Sequence, residues 1–178
     1  MMYALVAGGA LALVNIQTRP LIEENRRIAE EEARATVLPG MAVYEEKKTG
    51  DFSYYVGYTD GAKTTVGGYI FQVAGVGYSS TIEAMVGIDK KGIITGVRVL
   101  SQQETPGLGA RLEEVKYGES EPWFTGQYEG MSVADEIKVD KDGGSIDSIT
   151  GATISSRALT NAVDKGLREI AAAADLEE

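Results

Sequence analysis

The chain has neither cysteine nor histidine among its 178 residues. Without thiolates it cannot hold an iron–sulfur cluster or form a disulfide, and without imidazole it offers no nitrogen ligand to zinc or haem. A Ser-His-Asp triad and a cysteine nucleophile are excluded for the same reason. Basic residues are in the minority, with 17 Lys and Arg against 27 Asp and Glu and a net charge of -10. That balance argues against nucleic acid, whose binding depends on basic patches that displace counterions, and against broad adhesion to anionic lipid. A long apolar run is also missing. The nearest approach, Met1 to Ile16, carries no charge but falls short of the ~20 residues that span a bilayer. No positively charged start precedes it and no small-residue cleavage site follows, so it matches a cleaved signal peptide poorly. Any redox role therefore belongs to a cofactor held by hydroxyls, backbone and carboxylates.

The remaining composition, 43% hydrophobic and 25% charged, is that of a globular protein. The length suits one domain with an appendage. Residues 1–16 are expected to be part of a transmembrane anchor, the alternative being a buried N-terminal helix of a soluble fold. Pro20 to Thr36 continues as a polar helix with Leu21, Ile22, Ile28, Ala29 and Ala33 along one side, and Pro39-Gly40 ends it. Residues 17–40 thus read as a helical stalk packing its apolar stripe on the domain. Arg19, Arg26 and Arg27 beside the anchor point to the cytoplasmic side.

From Tyr54 to Leu100 the pattern is that of strands. Tyr69–Val73 is one. Ile82–Ile88 and Ile93–Leu100, joined by Asp89-Lys90-Lys91-Gly92, predict an antiparallel hairpin. Ser156 to Ala174 is the clearest helix, with Leu159, Ala162, Val163, Gly166, Leu167 and Ile170 on one face and Ser155 or Ser156 as its N-cap. The expected fold class of residues 41–178 is α+β, an antiparallel sheet with flanking helices.

Three segments carry candidate chemistry. In Asp147-Ser148-Ile149-Thr150-Gly151-Ala152-Thr153, the two smallest residues clear space beside the Thr153 hydroxyl. The helix that follows favours a negative group at its N-terminus, and Ser155, Ser156 and Arg157 are expected to add donors there. Asp147 is a poor neighbour for a phosphate and reads instead as a metal ligand or a mark for a modifying enzyme. The alternative is a plain turn and cap, in which Thr150 or Thr153 satisfies backbone N–H groups. Glu104-Thr105-Pro106-Gly107-Leu108-Gly109 has the residues of a type II turn and offers an acid, a hydroxyl and an aliphatic side chain, a combination suited to a planar heterocycle. By itself it also reads as a surface turn. Trp123, beside Phe124 and between turn residues, is either core or a stacking platform.

These two motifs, in order after an anchor and stalk, resemble the G subunit of the Rnf complex and the related C subunit of the sodium-pumping NADH:quinone reductase. The resemblance covers nearly the whole chain. It implies FMN joined through a phosphoester to Thr153 by a separate flavin transferase, with Thr150, Gly151 and Ala152 shaping the turn. It further implies that Glu104, Thr105, Gly107, Leu108 and Trp123 line the flavin. The domain would lie on the extracytoplasmic side of the cell membrane, held by a single pass, in contact with the other membrane subunits. It would relay electrons between reduced ferredoxin and NAD while the complex moves Na⁺ or H⁺. The motif outweighs the arginine bias, which is only statistical. No catalytic acid, base, nucleophile or metal site is assigned. A stand-alone extracytoplasmic flavin carrier and an anchored scaffold without flavin are the alternative readings.

Overall fold

Four hairpin connections carry the chain through a five-stranded meander before it reaches its C-terminal helix. The computed structural model describes residues 2–174 and 176, and the side chains of all of these but 2–7, 9 and 10. Residue 1 of the expected anchor, and residues 175, 177 and 178, lie outside the described residues. The elements are helix α1 (Met2–Val37), strands β1 (Val43–Thr49), β2 (Phe52–Tyr58), β3 (Val66–Val76), β4 (Thr81–Asp89) and β5 (Ile94–Ser101), and helix α2 (Thr153–Ala173). The strands pair antiparallel in chain order. Between β5 and α2 the chain forms three short 3-10 turns, Gly109–Glu113, Thr125–Tyr128 and Asp140–Asp142.

The chain divides into residues 1–32 and 33–178. In the first unit, helix α1 runs unbroken through the residues expected to form anchor and stalk, and Pro20 lies inside it. Leu11, Leu13, Val14 and Ile16 are exposed. Further along, Arg19–Glu23, Arg26–Glu30 and Arg27–Glu31 form pairs four residues apart, which support a solvated helix. Among the described residues no helix is long and apolar enough to cross a membrane.

In the second unit both faces of the sheet are covered. Phe71, Val73, Ala84, Val86 and Ile88 belong to the main core, which α2 closes with Leu159, Val163, Leu167 and Ile170. On the reverse, Ile70 and Met85 pack with Ala33, Val37 and Leu38 from the end of α1. Double burial explains why β4 is buried at five consecutive positions, Ala84 to Ile88, instead of alternating. Backbone runs so close on each side that a β-carbon on Gly75 would fall 2.3 Å from the Ala158 carbonyl oxygen, and one on Gly87 would fall 2.2 Å from that of Val37.

The predicted hairpin forms with its turn at 89–92: Gly92 donates to the Asp89 carbonyl at 3.1 Å, and the Asp89 carboxylate accepts from Lys91 and Ile93. Helix α2 starts at Thr153, three residues before the predicted Ser156. Its N-cap is Ala152, with no side-chain cap bond, so neither Ser155 nor Ser156 has the expected capping role. Both hydroxyls are committed elsewhere.

Candidate functional site

The two motifs fold into turns of the same plan. In Thr105-Pro106-Gly107-Leu108 the Leu108 N–H bonds the Thr105 carbonyl at 3.1 Å, and Gly107 takes φ +75°. In Ile149-Thr150-Gly151-Ala152 the Ala152 N–H bonds the Ile149 carbonyl at 2.9 Å, and Gly151 takes φ +79°. A positive φ at the third turn position is open to glycine without steric cost. The turns are remote from each other in the chain, yet both line one cleft of about 450 Å³ with Tyr78, Glu104, Thr105, Leu108, Gly109, Gly151, Ala152, Thr153, Ile154 and Ser155 around it. Thr153, half-buried, is the first residue of α2. Its hydroxyl therefore stands where the unpaired N–H groups and the helix dipole favour an anion.

Glu104 holds this arrangement together. It is 5% exposed, and its two carboxylate oxygens accept from the backbone N–H of Tyr78, Ser79 and Ser80 and from the hydroxyls of Ser80 and Ser155. Burial by itself would push the carboxyl up. The donors, Ser155 first and then the turn amides, outweigh it and hold the carboxyl down at about 2. Glu104 is therefore ionised at any physiological pH. Ser156 secures the second turn from inside: its hydroxyl accepts from Ile149 N–H at 3.0 Å and donates to the Ala152 carbonyl at 3.0 Å. Behind it, Thr160 donates to the Ser156 carbonyl and meets the buried Tyr128 hydroxyl at 2.9 Å.

The structure thus brings Glu104, Thr105, Leu108, Gly151, Ala152 and Thr153 to one place. Thr150 and Gly107 belong to the turns, are exposed, and do not line the cleft themselves. Trp123 is not brought there. Its indole N–H donates to Glu114 at 3.2 Å, Lys116 lies 4.2 Å above the ring, and Phe124 packs edge-on at 5.6 Å. It lines a separate concavity together with Asp147. Arg157 and the two serines are not free donors either, because Arg157 is held bidentate by Asp142 at 2.6 and 2.7 Å. Asp147 is exposed, its backbone clasped by the Gln127 side-chain amide, which accepts from its N–H and donates to its carbonyl. Sequence reasoning missed Tyr78, Ile154 and the part played by the turn 77–80, and took Gly109 only as the end of the loop motif. The short run Gly77-Tyr78-Ser79-Ser80 signals a turn, but nothing local ties it to Glu104.

Comparison with known proteins gives the family. Residues 77–168 match the model of the FMN-binding domain. The chain is 34% identical to the G subunit of the ion-translocating oxidoreductase complex of Pseudomonas aeruginosa (strain UCBPP-PA14), over 94% of this chain and 83% of that one. The chain belongs to this G-subunit family. Its counterpart in Shewanella piezotolerans is 33% identical over 91% of this chain and 82% of its own. Among solved structures, the C subunit of the Na⁺-translocating NADH-quinone reductase of Parabacteroides distasonis superposes with a TM-score of 0.51 at 26% identity, covering 65% of this chain and 59% of that chain. NqrC of Shewanella oneidensis shares the fold with a TM-score of 0.50, at 18% identity over 79% of this chain and 74% of that chain.

Proposed function

We propose that the chain carries FMN in the cleft between the two turns, joined through its phosphate to the Thr153 hydroxyl, and relays electrons within an Rnf-type ion-translocating complex. The observation that carries this reading is the convergence of both motifs on one cleft whose wall includes a half-buried Thr at a helix N-terminus. The fit is good on three counts. A volume of about 450 Å³ lies within the ~300–1,000 Å³ of small-molecule sites. Tyr78, Leu108 and Ile154 give apolar surface for a planar ring. Gly151 leaves the approach to Thr153 without a side chain.

Bound FMN would supply the electron-accepting and electron-donating chemistry. The chain's own residues hold and orient it. The first turn of α2 favours the phosphate, and Leu108 and Ile154 offer the ring apolar side chains to rest against. Thr153 supplies the attachment oxygen. With no histidine or cysteine, linkages from those side chains to the flavin ring are excluded, whereas a phosphoester needs only a hydroxyl. A flavin transferase would install the group, and the other membrane subunits would supply and take the electrons.

The exposed apolar side chains Leu11, Leu13, Val14 and Ile16 support seating of residues 1–16 in lipid or against those subunits, with residues 17–40 as a stalk and residues 41–178 as the flavin domain outside the cytoplasm. Protease added to intact spheroplasts should then cut the domain. Resistance there, with cutting only after lysis, would reverse the side.

The central test is mass. Protein purified from its own membranes should carry one FMN on the tryptic peptide Asp142–Arg157, and Thr153→Ala should remain folded and lack it. Yellow, fluorescent Thr153→Ala protein after denaturation would sink the assignment.

A further inference from the structure

We infer that Glu104 is a positioning residue for the attachment site: its carboxylate clips the β3–β4 turn to the first turn of α2 and so fixes where the Thr153 hydroxyl is presented. This rests on the reading of Thr153 as the point of attachment. The sequence suggests a ligand contact at Glu104, but the geometry assigns its oxygens to the protein. Oε1 takes Ser79 N–H at 2.9 Å, Ser80 N–H at 2.9 Å and the Ser80 hydroxyl at 3.1 Å. Oε2 takes Tyr78 N–H at 3.1 Å and the Ser155 hydroxyl at 2.6 Å. A carboxylate has about four lone-pair sites, so five donors leave nothing for a bound molecule.

The surroundings are built for this residue. A β-carbon on Gly77 would come 2.6 Å from Glu104 Oε1, and one on Gly109 would come 2.7 Å from Glu104 Cβ and 2.6 Å from Ser155 Oγ. Tyr78 and Thr153–Ser155 all line the cleft, and the Tyr78 N–H and the Ser155 hydroxyl meet on the same oxygen, Oε2. Among the described residues, Glu104 alone joins the two by hydrogen bonds. Ser155 is two residues from Thr153, within the same helical turn, so releasing it shifts the attachment oxygen against the rest of the cleft. Group transfer is sensitive to such shifts: a displacement of about 1 Å can cost on the order of a hundredfold.

Glutamine has the shape of glutamate but cannot replace it. Whichever way the amide turns, its NH₂ faces a backbone N–H, that of Tyr78 or those of Ser79 and Ser80. Glu104→Gln therefore breaks the turn side of the clip, and Ser155→Ala breaks the helix side.

The full chain, expressed without the flavin transferase and so free of covalent flavin, is assayed with the purified transferase and a flavin dinucleotide. The donor's phosphoanhydride breaks as the Thr153 phosphoester forms, the nucleoside monophosphate leaves, and the hydroxyl proton goes to solvent. Covalent FMN is followed by intact mass. Each single variant should slow incorporation by roughly tenfold or more. The loss should fall on kcat rather than KM, and the double variant should lose no more than the worse single one. Tyr58→Phe, which removes a hydroxyl bonded to Glu45 outside the cleft, should load at the wild-type rate. Hydrogen exchange gives a flavin-free readout: Glu104→Gln should lose protection either at the Tyr78 amide or at those of Ser79 and Ser80, while Ser155→Ala keeps all three. Normal kcat in either single variant, losses that multiply in the double, or equal slowing in Tyr58→Phe would each overturn the clip. If the wild type takes no FMN, or Thr153→Ala does, the attachment reading itself has failed, a pattern the clip variants cannot produce.

Discussion

Leu108 and Gly151 meet tip to tip: a β-carbon on Gly151 would lie 3.2 Å from Leu108 Cδ2. The contact joins two turns that are remote in sequence, and it can be separated from the backbone cost. Gly107 has nearly the same positive φ but open space around it. Gly107→Ala should therefore cost about 1 kcal/mol, the penalty of placing a side chain at φ > 0. Gly151→Ala should cost more than that and also reduce covalent FMN, because it crowds Leu108. Urea midpoints and intact mass on the pair check this. Equal stabilities and equal loading would show that the contact does nothing.

Acid should reveal the charge on Glu104. Its carboxyl is held at about 2 against an ordinary 4.5. A group whose folded pKa is lowered adds stability that is complete above the unfolded value and is lost as pH falls through the folded one. The stability gap between the wild type and Glu104→Gln should be constant at neutral pH and shrink between roughly pH 5 and pH 2. A gap that persists undiminished at pH 2 would place its origin in shape rather than charge.

Trp123 stands apart from the cleft, so Trp123→Phe should leave FMN loading and the visible spectrum unchanged. It breaks only the contacts with Glu114 and Lys116. A shifted flavin absorption band in that variant would show a ring contact that this geometry lacks.

Removing the Arg157–Asp142 pair should do little. Both side chains are more than a third exposed, and exposed ion pairs are worth at most about 1 kcal/mol. Asp142→Asn is expected to lower stability by less than that and to load FMN normally. A strong loading defect would instead give Arg157 a part in holding the phosphate.

What could be read from the chain followed local rules. The β4–β5 hairpin was legible because Asp89 and Gly92 mark its turn, and the buried face of α2 because its apolar residues recur at helical spacing. β1 was not. Its run Glu45-Glu46-Lys47-Lys48 is polar because the strand lies at the edge of the sheet, where charge protects an open backbone from further pairing. The start of α2 was misplaced by a rule that normally works: two serines looked like caps, but Ser155 is drawn to Glu104 and Ser156 to the preceding turn. Thr153 and both turns were visible as motifs. That they share a wall was not, since the bond from Ser155 to Glu104 spans 51 positions and leaves no periodic trace. Trp123 drew attention as the only indole in the chain, and its neighbours turned out to be a carboxylate, an ammonium and a phenyl ring.

The last turn of α1 has a practical meaning for anyone shortening this protein. Ala33, Val37 and Leu38 are as deeply buried as the strands they cover, and Thr95 donates from the sheet to the Val37 carbonyl. A truncation made for solubility that begins at the first strand would strip the reverse side of Ile70 and Met85 and expose a greasy flank ready to aggregate. Beginning at or before residue 33 would keep the domain's back intact.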